Sequence, residues 1–350
     1  MSGEERRRPS APSRSGRNRI DTASTAARLR TRIIDLGRQR VLISRIAGSD
    51  QANDLRVPAN CAGLGRIRHF HRGTAPGWPS NPLPIDPAHH SLGKPTSDVM
   101  KAQVFQNAAC AWRCWYCFVP FELLAGNANL GTWLSADELV DLYLAESDRP
   151  VVIDLTGGSP DLTPEWVLWV MRALRTRGLE RSVYLWSDDN LSTDFLWRFL
   201  TPADRAEIST YPAYGRVACF KGFDAASFVF NTQASADAFD RQFELMQRLV
   251  TEGIDCYGYA TFTAETHVGI GYAMRDFVDR LQRIHPNLPL RTIPLHIDVF
   301  SPMRSRLNAV RRSALDVQAA AIAAWNEELS RRFTCGERAL PIYQVSLARD

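Results

Sequence analysis

Three cysteines fall within eight residues, in the run Cys110-Ala-Trp-Arg-Cys114-Trp-Tyr-Cys117. Thiolates spaced C-x3-C-x2-C on one tight loop can hold three corners of a cubane cluster. No fourth cysteine lies nearby, so one iron would stay open to a non-protein ligand. A structural zinc site closes its fourth position, and the nearest histidines, His89 and His90, lie upstream with no zinc-finger spacing. Three buried core thiols crowded together is the third reading. A second segment, Thr156-Gly157-Gly158-Ser159-Pro160, pairs two glycines, whose missing side chains let the backbone approach a ligand closely; an ordinary strand-to-helix turn has the same composition. Asp188, Asp189 and Asn190 supply carboxylates and an amide suited to ribose hydroxyls, or a polar turn that caps the next helix. Lys221 is one of only three lysines, with Lys94 and Lys101, and follows Cys219 by two positions.

These segments need a scaffold, and its rhythm begins near Lys101. Six strands are expected, at Ala102–Gln106, Val151–Leu155, Ser182–Ser187, Arg216–Lys221, Asp255–Phe262 and Leu290–Phe300. Helices of ten or more residues alternate with them, which implies a parallel sheet. Ser135-x-x-Glu138 reads as a capping box, and Thr163-Pro164-Glu165 as a cap, first-turn proline and early acid. Phe239, Phe243, Met246 and Val250 share a helix face, as do Met274, Phe277, Leu281 and Ile284. The last helix places Leu315, Ala319, Ile322, Trp325 and Leu329 on one side. Five crossovers are too few for a closed eight-stranded barrel. The fold class is therefore α/β, a partial six-stranded (β/α)6 parallel barrel with an irregular N-terminal extension.

The cysteine spacing, with Tyr116 directly before the last cysteine, resembles the signature of the radical S-adenosylmethionine (SAM) superfamily. The Gly157-Gly158-Ser159-Pro160 segment resembles the Gly-Gly-Glu-Pro type turn of that family, with Ser159 where Glu is frequent. The resemblance covers roughly residues 101–300. It implies a 4Fe-4S cluster on Cys110, Cys114 and Cys117, and SAM bound near Tyr116, Gly157, Gly158, Ser159, Pro160, Asp188, Asp189, Asn190 and Lys221. It further implies reductive cleavage of SAM to a 5′-deoxyadenosyl radical that takes hydrogen from a substrate, with an electron donor such as flavodoxin or ferredoxin. Cys219-Phe-Lys221 is distantly similar to the Asp-x-Lys segment of glycyl-radical-enzyme activases, with cysteine at the acidic position. An activase and a non-enzymatic iron–sulfur carrier or sensor are the alternatives. No substrate is identified. Tyr257, Tyr259, His296 and Asp298 on the last strands are possible substrate contacts, and His69, His71, His89 and His90 a possible lid.

The chain of 350 residues is 45% hydrophobic and 23% charged, enough to bury a large core without disulfides. Seven cysteines, three of them clustered, fit a reducing compartment better than a disulfide framework. No run approaches the roughly 18 apolar residues of a membrane span, and the first residues lack a secretory h-region. The expectation is a cytoplasmic protein. Residues 1–40 hold eleven Arg against four acids, a local charge of +7, and the rest carries 31 basic against 34 acidic side chains. The organisation expected is a disordered basic arm (1–40), a Pro-rich lead-in (41–100) with six prolines between Pro76 and Pro95, a catalytic core (101–302), and a C-terminal helix and tail (303–350). Contact of the arm with nucleic acid is possible but not indicated.

Overall fold

A computed structural model describes residues 19–348. Its strands are β1 (Ile34–Asp35), β2 (Arg40–Ser44), β3 (Gly65–His71), β4 (Val99–Phe105), β5 (Gly131–Ser135), β6 (Val152–Leu155), β7 (Tyr184–Asp189), β8 (Tyr214–Phe220), β9 (Cys256–Thr261) and β10 (Thr292–Leu295). Seven of them form one curled open sheet in the order β10-β9-β8-β7-β6-β4-β3, while β1, β2 and β5 make a small antiparallel sheet. Six neighbours, from β4 to β10, run parallel. These are the six expected strands. The seventh, β3, was not expected: it pairs antiparallel with β4 from Gly65 opposite Phe105 to His71 opposite Val99. The stretch 41–100 is thus part of the sheet.

Parallel strands must be covered on both faces, and β6, β8 and β9 are buried at every position. Side chains alternate between the faces. Leu155, Leu185, Ala218, Phe220 and Ala260 face the helices that connect the strands. Phe70, Ala102, Tyr184, Trp186, Val217, Cys219, Tyr257 and Tyr259 share the opposite, inner face with the helix Ile85–Ser91. Aromatic side chains fill that face near the strand beginnings. The same parity continued to the carboxyl ends gives Asp154, Thr156, Asp188, Cys219 and Lys221, so inner-face polarity is concentrated along one rim.

The capping box of Ser135 and Glu138 is present. Thr163 precedes the helix Pro164–Thr176 without a side-chain cap; its hydroxyl instead accepts from Asn107 Nδ2 at 3.4 Å. Phe239, Phe243 and Met246 are buried on one helix and Met274, Phe277, Leu281 and Ile284 on the next. In the helix Ala309–Arg332 the buried face runs through Ala314, Val317, Gln318, Ala321, Ile322, Trp325 and Glu328. Ala319 is exposed there, and Leu315 and Leu329 lie at the margin. The displacement arises from two buried polar residues, Gln318 and Glu328, that an apolar pattern does not show.

Residues 1–18 of the expected arm lie outside the described residues. The remainder is not disordered. Asp21 caps a helix, Thr22–Ile33, whose Ala26, Leu29, Arg30 and Ile33 are buried. Arg30 pairs with buried Glu165 and donates to Leu162 O at 2.8 Å.

Candidate functional site

Because the six strands run parallel, the segments that follow them meet at one rim. A cavity of about 420 Å³ lies there, bordered by Cys110, Cys114, Cys117, Tyr116, Gly157, Gly158, Asp188, Asn190 and Lys221. Three of the residues expected around a cofactor do not border it. Pro160 starts a 3-10 turn below the glycines. Ser159 is buried behind them, its hydroxyl 3.6 Å from Cys110 Sγ. Asp189 has the outer parity: it accepts from Leu191 N–H at 2.7 Å and pairs with Arg216 at 3.2 Å.

The cysteine loop is held through its backbone. Arg113 and Trp115 N–H donate to the carbonyls of Thr232 and Asn231, at 3.2 and 3.1 Å. Trp115 Nε1 donates to Asn231 Oδ1 at 3.0 Å, and Trp112 Nε1 to Thr22 Oγ1 at 3.1 Å. From the other side Arg306 donates to Cys117 O at 2.9 Å and Val119 O at 3.0 Å while lying over the Phe121 ring at 3.9 Å. Burial pushes the Cys114 thiol up to about 12, against the pull of the Lys221 charge. Burial likewise raises Cys117, opposed in part by Arg306 and Lys221.

The glycine turn is fixed by two amides. Asn107 accepts from Ser159 N–H at 2.9 Å and donates to Ser159 O at 2.8 Å. Asn190 donates to Gly158 O at 3.1 Å and to Ser159 Oγ at 2.7 Å. Gly157 and Gly158 have φ of +80° and +69°, a region costly for any residue with a Cβ. A Cβ on Gly157 would meet Gln106 Oε1 at 2.5 Å, so that position faces Gln106.

Cations dominate the remaining wall. Burial acts to lower the Lys221 ammonium, but Cys219, Cys114 and Asp188 outweigh it and hold it raised. Burial lifts the Cys219 thiol to about 12. Arg66 and Arg68 reach the cavity from β3, and Arg68 pairs with fully buried Asp154 at 3.5 Å. Thr156 Oγ1 donates to Asp188. Tyr259, His296, Asp298, His69, Trp112 and Phe118 complete the wall. Tyr257 is buried lower on the inner face, His89 lies in the helix Ile85–Ser91, and His90 stacks on Tyr343. Sequence reasoning missed both arginines because their strand was unseen. The signal was there: Arg66, Arg68 and Phe70 alternate at period two.

Among the described residues no three Cys, His, Asp or Glu side chains surround a single-ion site. A cubane places one thiolate on each iron and so spreads its ligands more widely. Three thiols on one wall, with Lys221 and Arg306 to balance anionic charge, fit that donor set.

No protein-family model matches this chain, and no curated protein does. Solved structures of SuiB from Streptococcus suis are similar over part of the fold. SuiB bound to precursor peptide SuiA gives a TM-score of 0.36 at 16% identity, over 51% of this chain and 36% of that one. SuiB bound to S-adenosylmethionine gives 0.35 at 16% identity, over 51% and 36%. The match thus spans about a third of the SuiB chain.

Proposed function

We propose that this protein is a radical SAM enzyme, with Cys110, Cys114 and Cys117 holding a 4Fe-4S cluster and the adjoining cavity holding SAM. One observation carries the reading. The three thiols and the Gly157-Gly158 turn, 40 positions apart in the chain, border the same cavity at the carboxyl rim of a parallel sheet. A carrier or sensor needs no such cavity beside its thiols. The activase reading has only Lys221 in its favour, since Cys219 stands where that group has an acid.

When bound and reduced, the cluster supplies an electron that splits SAM into methionine and a 5′-deoxyadenosyl radical able to take hydrogen from a substrate. The chain's own tasks are binding, orientation and exclusion of water. Backbone carbonyls of the glycine turn face an ammonium. Lys221 offers charge to a carboxylate beside the thiols. The Asp188 carboxylate and Asn190 Oδ1 would accept from ribose hydroxyls at the third strand end. Trp112, Phe118 and Tyr116 keep the cavity wall apolar around the thiols. An electron donor such as flavodoxin or ferredoxin belongs to the same proposal.

The test is anaerobic reconstitution followed by iron and sulfide analysis, SAM calorimetry and assay of 5′-deoxyadenosine after dithionite. Four irons per chain, SAM binding and 5′-deoxyadenosine release are expected, all lost when the three cysteines become Ala. A folded triple variant that keeps its cluster would refute the assignment.

A further inference from the structure

One cation of the cavity wall has no bonded partner. Arg68 is matched by Asp154 at 3.5 Å, and Lys221 has Asp188 among its electrostatic partners. Arg66 has no bonded counterpart: Asp154 and Asp188 act on it only through space. It is 7% exposed, and among the described residues no hydrogen bond or ion pair engages its guanidinium. Its Nε is fully buried without a hydrogen-bond partner. Its one close contact is the Phe118 ring, 5.0 Å below the guanidinium carbon. An unpaired buried charge is strongly unfavourable in a protein interior. A guanidinium that keeps two N–H edges toward a cavity is a ready fork for a carboxylate.

The cofactor's own carboxylate has a nearer cation. Lys221 borders the cavity together with the three thiols, and Arg306 is bonded to the carbonyl of Cys117. Arg66 lies instead toward Phe118, which packs edge-on against Phe300 at 6.1 Å. Leu55, Arg56 and Phe300 border the same end of the cavity. Phe118, Phe300 and Leu55 give this end an apolar wall, which Arg66 shares with Arg56 and Asp54.

Building on the cofactor reading above, we infer that Arg66 is a substrate-binding residue and that the substrate carries a carboxylate, seated on the Arg66 fork with its apolar part against Phe118 and Phe300. The inference makes β3, which adds an antiparallel edge to the six parallel strands, the strand that selects the substrate.

Benzoate is a suitable probe and benzamide its neutral isostere. Both are titrated calorimetrically into the reconstituted protein, with and without SAM. Benzoate is expected to bind alongside SAM, and benzamide about tenfold or more weaker, the loss of a charge-assisted hydrogen bond. Arg66→Met should weaken benzoate by a similar factor, leave SAM affinity within about twofold, and keep Tm within a few degrees, because no hydrogen bond or ion pair within the protein depends on its guanidinium. Unchanged benzoate affinity in Arg66→Met overturns the inference. So does a lowered Tm together with lost binding, which would make Arg66 structural. Competition between benzoate and SAM, with SAM weakened in the variant, would assign the fork to the cofactor and equally overturn it. If SAM fails to bind while benzoate still requires Arg66, the anion site stands and the cofactor reading falls.

Discussion

Asn107 satisfies both backbone groups of Ser159 and stands directly behind Gly158. A Cβ on Gly158 would lie 2.0 Å from Asn107 Oδ1, 2.4 Å from Asn107 O and 2.8 Å from Ala109 O. Two of those atoms are backbone leading into Cys110, so they cannot yield without moving the thiol loop. The atoms nearest a Cβ on Gly157 all belong to the Gln106 side chain, Oε1 at 2.5 Å, Cγ at 2.9 Å and Cδ at 3.0 Å, and none is backbone. Both substitutions carry a left-handed penalty of about 1–2 kcal/mol. Gly158→Ala should therefore cost more stability, and more SAM affinity, than Gly157→Ala; urea unfolding and calorimetry rank the two. Equal effects would mean the Asn107 clamp is not what shapes the turn. Asp154 gives a second test at this scale. Burial, reinforced by Asp188, pushes its carboxyl up to about 8 despite Arg68 and Arg66. Its unfolded value is about 3.9, so the folded state binds the proton more tightly. Its contribution is then fully present below about pH 4 and is lost as pH rises toward about 8. Tm should fall between about pH 5 and 8, and Asp154→Asn should flatten that fall. Parallel curves would place the titration elsewhere.

The helix Thr22–Ile33 is the element whose removal reaches furthest. It contributes Arg30 to a pair with Glu165 in which both side chains are under a tenth exposed, and Thr22 to the Trp112 indole. Arg30→Ala leaves Glu165 buried and uncompensated, a loss of about 3–5 kcal/mol that denaturant titration will show; a loss below about 1 kcal/mol would mean the pair is hydrated. A chain starting at Val41 should lose thermal stability and cluster retention together, not merely a cationic arm. The sequence concealed this helix because its only buried apolar residues are Ala26, Leu29 and Ile33 among arginines and threonines. It concealed β3 for a related reason. Gly-Arg-Ile-Arg-His-Phe-His looks solvent-facing, yet its arginines face a cavity, which composition cannot distinguish from water. The strands β6 to β9 were legible because burial on both faces demands continuous apolar runs. The thiols and the two glycines stood out by residue type and spacing alone, and the fold brings them to one cavity. Asp189 was misplaced by one position of strand parity, which a polar triplet does not fix.

At the scale of the molecule, the thiol loop is gripped from both ends of the described chain. Thr22 holds Trp112 from one side, and Arg306 binds the carbonyls of Cys117 and Val119 from the other. Arg306→Ala removes donors to three loop carbonyls, those of Cys114, Cys117 and Val119, and the cation over Phe121. Amide exchange in residues 114–121 should accelerate, and the half-life of bound iron against a chelator should shorten severalfold, with secondary structure unchanged. Identical exchange rates would show that the other contacts suffice.

The Arg306 clamp also sets an order of events during synthesis. Cys117 and the arginine that fastens its carbonyl are 189 positions apart. At about 5–20 residues per second, roughly 10–40 s separate their emergence from the ribosome. Throughout that interval the fastening of the thiol loop by Arg306 has yet to be made. Under the cluster assignment proposed above, iron and sulfide delivered in that window would meet a loop that Arg306 has yet to fasten, and delivered later one that it holds.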